Sequence, residues 1–440
     1  MNCIEDYIKK HAREHPEKVA VVCGGISTTY GELCGQIMAC VEELRREGIT
    51  AGNVITFRNT QSLTFLLTYF ALHEIGAVAL PLESDVSDEQ LHIIANHYSS
   101  FTPPKGVADI LFTTGTTGRS KGVMVSHTTI LAEAENLIYA HGYTADHLFI
   151  INGPLNHIGC LSKIYPVMFT GGTLYLLESM KDLNAFFHAL DYPCDKVATF
   201  LVPTSARILI QLASQRLSSY RDKIDFIETG AAPMSHSDMQ TLCQLLPHSR
   251  LYNTYASTET GIISTYNFND GRCQQGCLGK PMKHSSFFIT PEGQVACSGK
   301  TLMVGYAGEE ALTRTVLRDG VIYTADNGYL DDEGMLHLTG RNDDVINVGG
   351  FKISPSEVED VVLGHPSVKD CICIGVSSPL TGHALKLLYV LHEGKELDKR
   401  EIARFINAHL ERYKVPQYYE CVAEVKRTFN GKLDRKAYQE

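Results

Sequence analysis

The run FTTGTTGRSKG, from Phe112 to Gly122, constrains this chain more than any other stretch. An apolar DILF (Asp109–Phe112) leads into it and VMVSH (Val123–His127) leads out, so it reads as a loop held between two buried strands. Gly115, Gly118 and Gly122 let backbone N–H groups come close to a ligand. Thr113, Thr114, Thr116 and Thr117 offer hydroxyls, and Arg119 and Lys121 oppose negative charge. The combination predicts a phosphate cradle. It is not the common P-loop GxxxxGK[ST], because Ser120 stands at the second glycine and Gly122 follows Lys121. A plain surface loop would carry the same residues, but one wedged between apolar strands usually has a role.

The chain has 440 residues, room for two or three domains. A hydrophobic fraction of 44% and a charged fraction of 20% describe a soluble protein with a sizeable core. The net charge of −11 argues against nucleic acid or a membrane surface as a general partner. An anionic ligand must therefore meet local positive charge. The 13 cysteines lack metal-site spacing, even at Cys371/Cys373 and Cys273/Cys277, and read as free thiols in a reducing cytoplasm. The N-terminus shows no signal-peptide pattern. LTFLLTYFALHEIGAVALPL is broken by His73, Glu74 and Gly76, which predicts a core helix running into a buried strand and no membrane span.

Helical and strand-like segments alternate over the first three quarters, which predicts layered α/β structure. Glu89–His97 reads as a helix opened by a capping box from Ser87 to Gln90. Val197–Pro203 and Phe226–Pro233 read as short buried strands. After Asp326 the composition turns to Gly, Asp and Asn, up to GRNDDVINVGG (Gly340–Gly350), and marks a domain boundary. The remainder reads as a small α+β unit. One helix is expected over Ile353–Leu363, with Ser354 as N-cap, Pro355 in the first turn and Glu357 closing a box. Another starts at Asp398 and puts Ile402, Phe405, Ile406, His409 and Leu410 on one face. Asn430-Gly431 is a turn signal that presents Lys432.

Taken in order, these motifs resemble the adenylate-forming enzyme superfamily: acyl- and aryl-CoA synthetases, peptide-synthetase adenylation domains and luciferases. STTYGEL (Ser27–Leu33), HEIGAVALPL (His73–Leu82), TTGTTGRSKG, NTYASTET (Asn253–Thr260), YTADNGYL (Tyr323–Leu330), GRNDDVINVGGFKISPSEVE and NGKLDR (Asn430–Arg435) carry the resemblance. It covers nearly the whole chain. It implies a large N-terminal domain of layered α/β subdomains over 1–342 and a small mobile α+β C-terminal domain over 343–440, hinged at Asp343. It also implies an AMP-forming acid–thiol ligase. A carboxylate attacks the α-phosphate of ATP, pyrophosphate leaves, and a thiol then displaces AMP to give a thioester.

The resemblance assigns roles by position. Lys432 would bridge carboxylate and α-phosphate, Thr258 would donate to that phosphate, and Glu259 would bind Mg²⁺, which takes one or two carboxylates plus phosphate oxygens. Thr113 to Gly118 and Lys121 would hold the β- and γ-phosphates. Tyr255 would stack on adenine against Gly230, Ala231 and Ala232, with Asn253, Ala256 and Ser257 beside it. Asp326 would accept from the ribose hydroxyls, and Arg341 would reach the nucleotide. Gly349 and Gly350 would line a channel for the thiol of CoA or of phosphopantetheine.

GPLNHIGC (Gly153–Cys160) places His157 beside the acid pocket in such ligases, with Val202, Gly230 and Ser257 completing it. Small and apolar lining suggests a simple aliphatic or aromatic acid. Arg207 could meet a second carboxylate, but reads as helix surface. The chain departs from the pattern at Ala256, Ala325, Ser120 and Lys426, and the stretch between Pro81 and Thr113 is short. A stand-alone enzyme loading a carrier protein, and a non-catalytic nucleotide-binding paralogue, are the alternatives.

Overall fold

Strands buried on both faces read as nearly continuous apolar runs, and HLFII at His147–Ile151 is buried throughout. It lies in a parallel array with Val19–Cys23, Thr173–Leu176, Lys196–Leu201, Ile224–Thr229 and Arg250–Ser257. The computed structural model describes the chain at all but residues 114–120, 342–343, 349–350, 379–381, 429–431 and 439–440. Among the described residues, antiparallel strands from Gly261–Asn267 to Leu336–Arg341 extend the array into a 14-stranded sheet.

A second sheet has five strands among the described residues. Val54–Arg58, Val78–Leu82 and Val107–Thr113 run parallel, and Lys121–Ser126 and Gly305–Tyr306 add antiparallel. Helices fill the space between the two sheets. The nearly all-apolar helix Leu63–Ile75 ends at Gly76, whose φ of 81° no β-carbon-bearing residue adopts cheaply. Phe65, Tyr69, Phe70, Phe149 and Tyr165 share this core, each burial stabilising by roughly 1.5–3 kcal/mol. The expected core helix followed by a buried strand is thus observed. No helix among the described residues is long and apolar enough to cross a membrane.

The third sheet belongs to the C-terminal unit. Val368–Ser378 and Gly382–Leu391 form its longest antiparallel pair among the described residues. Helices Pro355–Leu363 and Lys399–His409 cover it, and Ile353, Val358, Val362, Leu385, Leu387, Ile402 and Ile406 make a core of its own. The architecture is the expected one, a large layered α/β unit and a smaller α+β unit.

Local expectations met mixed outcomes. The helix over Asp88–Ser99 carries the predicted box, with Ser87 and Gln90 exchanging both bonds. The two predicted strands shift to Lys196–Leu201 and Ile224–Thr229, and Pro203 instead opens the helix Pro203–Ser218. The box at Ser354 does not form. The Ser354 hydroxyl packs against Gly340, where a Cβ would clash, and bonds Ser356 at 2.8 Å. Glu357 is drawn away to Lys414 at 2.7 Å.

Candidate active site

The antiparallel pair Val107–Thr113/Lys121–Ser126 flanks the stretch expected to hold phosphate, with Thr113 opposite Lys121. Thr114, Gly115, Thr116, Thr117 and Gly118 lie outside the described residues, as do Asp343, Gly349 and Gly350. The strand Gly305–Tyr306 pairs with the second arm of the hairpin and brings Tyr306 beneath Lys121, whose Nζ is 5.4 Å from the ring centre. The Tyr306 hydroxyl donates to Glu259 Oε1 at 3.0 Å. Burial and the Glu259 charge push this phenol well above its ordinary value, so it stays a donor.

Glu259 and Thr258 sit in the tight turn between Arg250–Ser257 and Gly261–Asn267. Ser257 and Thr260 lock that turn: the two hydroxyls bond at 2.9 Å and Ser257 Oγ accepts from Thr260 N–H at 3.0 Å. Ser257 therefore spends its side chain on the turn. Ala256 keeps an ordinary negative φ, so alanine is tolerated where the family prefers glycine.

Asp326 and Arg341 face each other across the hairpin Val321–Leu330/Leu336–Arg341, 3.5 Å apart at Oδ1 and Nε. Asp326 Oδ2 accepts from the Tyr255 hydroxyl at 2.7 Å. Tyr255 is 6% exposed, so its ring is fixed by the core and its oxygen orients the carboxylate. Lys432 enters from the C-terminal unit. Burial and the Arg341 charge bring its ammonium below the ordinary lysine value, against the pull of Asp326 and Glu259. The residue is nonetheless exposed to solvent. Glu259, Asp326, Arg341 and Lys432, scattered through the sequence, thus share one electrostatic centre.

The loop after Ile224–Thr229 forms a neighbouring wall. A Cβ at Gly230 would lie 3.1 Å from the Thr254 carbonyl and 3.5 Å from Phe200. Ala231 holds φ at +67°, a left-handed conformation that an L-residue adopts at a cost. Ala232 is half-buried beside it. Asn253 Nδ2 donates to the Cys277 carbonyl at 3.1 Å, which ties the side chain to the sheet. Phe200 packs between Gly230 and Gly159. It therefore links this wall to the helix Ile158–Thr170, whose N-cap position is His157. His157 Nε2 pairs with Glu83 at 2.7 Å. Burial would raise the Glu83 carboxyl, but the hydrogen bond and charge of His157, with Asn156, hold it below its usual value. Val202 caps the helix Pro203–Ser218 from a half-buried position. Arg207, expected on a helix surface, is instead mostly buried between Asp238 and Asp370.

The sequence signature of AMP-binding enzymes matches residues 8–102 and 97–307, and that of the AMP-binding enzyme C-terminal domain matches 357–432. The chain belongs to the AMP-binding enzyme family. The family and the acid–thiol ligase class expected from the motifs are both borne out. The two pieces of the larger match meet inside the stretch between Pro81 and Thr113 that reads as shortened.

Among curated relatives of this AMP-binding enzyme is a feruloyl-CoA synthase from Amycolatopsis, 27% identical over 96% of both chains. A 2-succinylbenzoate–CoA ligase from Bacillus cereus is 24% identical over 99% of this chain and 98% of its own. The ATP-bound structure of MatB from Rhodopseudomonas palustris superposes with a TM-score of 0.88 at 22% identity, covering 100% of this chain and 99% of that one. The o-succinylbenzoate CoA synthetase of Bacillus subtilis, in complex with its acyl-adenylate, gives 0.86 at 21%, over 99% and 98%.

Two partners in this AMP-binding enzyme escaped the sequence reading, Tyr306 and Glu83. The run GYAG at Gly305–Gly308 was the available signal for the first: two glycines with positive φ frame a tyrosine on a two-residue strand. Nothing in the sequence joins Glu83 to His157. A single carboxylate, Glu259, with one oxygen oriented by Tyr306, fits the donor set of Mg²⁺, which takes one or two carboxylates.

Proposed function

We propose that this enzyme is an AMP-forming acyl- or aryl-CoA synthetase, acting on a simple carboxylic acid. The Asp326–Arg341 pair at 3.5 Å in the large domain, whose charges with that of Glu259 act on the Lys432 ammonium of the small one, supports this reading. Two anions must meet in the first step, so fixed positive charge is the main catalytic demand.

In the first step a carboxylate oxygen attacks the α-phosphorus of ATP and the bond to pyrophosphate breaks. Lys432 neutralises both the nucleophile and the α-phosphate oxygens, and Thr258 donates to the latter. Lys121 and the loop from Thr113 hold the departing pyrophosphate. Asp326, oriented by Tyr255, accepts from the ribose hydroxyls, and Tyr255, Gly230 and Ala231 flank the adenine. Glu259 would hold Mg²⁺, which when bound supplies charge neutralisation at the phosphates. His157 lies at the acid end, with Glu83 orienting its ring.

In the second step the thiol sulfur of CoA attacks the acyl carbon, AMP leaves, and the thiol proton passes to solvent. The C-terminal domain, from residue 343 onward, rotates about Asp343 between the two steps, and Gly349 and Gly350 then line the thiol's approach. We place the enzyme in the cytoplasm, in keeping with its 13 free thiols.

The test is acid-dependent ATP–pyrophosphate exchange across a panel of carboxylic acids, then thioester formation with CoA and with free phosphopantetheine. Exchange with one acid class followed by a CoA thioester supports the reading. Nucleotide binding without exchange for any acid would remove it.

A further inference from the structure

The C-terminal unit is fastened beside the site by a small cluster of ions. Arg427 and Leu433 form an isolated antiparallel bridge, and the Thr428 N–H donates to the Lys432 carbonyl at 2.8 Å. Arg427 therefore stands at the base of the hairpin that delivers Lys432. Its Nη2 donates to both carboxylate oxygens of Asp370, at 2.8 and 2.7 Å, within its own unit. Its Nη1 crosses to the large unit and donates to Thr204 Oγ1 at 3.1 Å. One turn along the same helix, Arg207 Nη1 donates back to Asp370 at 3.4 Å, while its Nε and Nη2 hold Asp238 at 2.9 and 2.8 Å. Arg435 grips Glu359 with two bonds of 2.7 Å and fixes the other arm of the hairpin.

The side chains of Arg207, Asp370 and Arg427 are only 15%, 21% and 22% exposed, so these bonds are shielded compared with an ordinary surface pair. We infer that Thr204 and Arg207, acting on Arg427 and Asp370, are positioning residues that latch the C-terminal unit in the pose where Lys432 reaches the adenylation centre. The Arg427–Asp370 pair lies within one unit and survives a rotation of that unit. The bonds to Thr204 and Arg207 cross the boundary and break. Asp238 and Asp370, which share Arg207, would repel each other without it, so losing Arg207 opens the pose twice over.

The inference rests on the two-step reading above, and its test separates the two half-reactions. R207A is expected to slow acid-dependent ATP–pyrophosphate exchange about tenfold. Thioester formation from a supplied acyl-adenylate is expected to be unchanged or faster. T204V removes one hydroxyl and little else, and is expected to slow exchange about threefold, in the same direction. R207K should recover part of the R207A loss. Equal loss of both half-reactions, or loss of neither, overturns the latch. Small-angle X-ray scattering on the same variants reads the pose without chemistry. A more extended particle in R207A and T204V supports the latch even if the wild type proves silent in exchange, and unchanged scattering overturns it.

Discussion

The Tyr306 hydroxyl donates to Glu259 Oε1 at 3.0 Å, across 47 residues of sequence. That bond fixes the one carboxylate expected to hold Mg²⁺, and Lys121 rests over the same ring. Tyr306→Phe keeps the ring and the cation contact and removes only the donor. Adenylation should fall about ten- to a hundredfold, a hydrogen bond to a charged group contributing about 1.5–3 kcal/mol. The loss should be recovered partly at higher Mg²⁺. A Mg²⁺ titration of pyrophosphate exchange checks this; an unchanged Mg²⁺ requirement would mean that Tyr306 only packs.

Lys432 acts as a cation in the proposed chemistry, and burial with the Arg341 charge holds it below the usual lysine value of 10.5. The active form is the protonated one. Adenylation should therefore fall as pH rises through this lowered value, earlier than for an unperturbed lysine. Lys432→Ala should cost about a hundredfold or more in exchange and spare thioester formation from a supplied adenylate. Lys432→Arg should be slower than wild type but lose the alkaline limb, because a guanidinium does not titrate there. Persistence of the limb in Lys432→Arg would assign it to another group.

What was legible in the sequence follows from how local each feature is. The Ser87 box, the core helix ending at Gly76 and the two strands that flank residues 114–120 depend on residues within a few positions, and they form as expected. The Ser354 box is just as local, yet it fails because a distant glycine, Gly340, offers its hydroxyl a tighter place. The tie of Asn253 to the sheet through Cys277 joins positions 24 residues apart, which no local pattern marks. The partners of Glu259 and His157 arrive from other elements, Tyr306 from 47 residues away. Arg207 looked like surface because the domain that covers it comes from the far end of the chain.

Ala231 is strained. Its φ of +67° costs an alanine about 1–2 kcal/mol, and glycine removes that cost while adding about 0.4–1 kcal/mol of unfolded-chain entropy. Ala231→Gly should therefore be neutral to about 1.6 kcal/mol more stable, and Ala231→Val less stable by more than 1 kcal/mol. Denaturant unfolding checks the order. If the loop borders the adenine as proposed, Ala231→Gly should also raise the KM for ATP, since the wall loses its fixed shape.

Glu5, His73 and His127 lie close enough to bind a metal, but the bonds of His73 decide against it. Its Nδ1 meets Glu5 at 2.8 Å and its Nε2 meets Asp109 at 2.9 Å, so both ring nitrogens are donors to carboxylates and neither has a lone pair to give. Burial opposes the charge, but Asp109 and Glu5 overcome it and raise the imidazolium to about 10 from its usual 6.5. His73 therefore stabilises the fold fully below about 6.5, and that contribution is lost as pH rises toward 10. The Glu5 carboxyl has the opposite sign: burial raises it, His73 more than compensates, and its lowered value contributes above about 4.5 and is lost on acidification. Together they predict greatest stability from this trio in mildly acidic solution. His73→Gln should cost about 3–5 kcal/mol there, because Asp109 and Glu5 are left buried without a cation. The gap to wild type should narrow as pH rises toward 10. Melting curves across pH check the slope, and a chelator should leave the wild-type Tm where it is. A Tm that drops with chelator would replace the imidazolium with a metal.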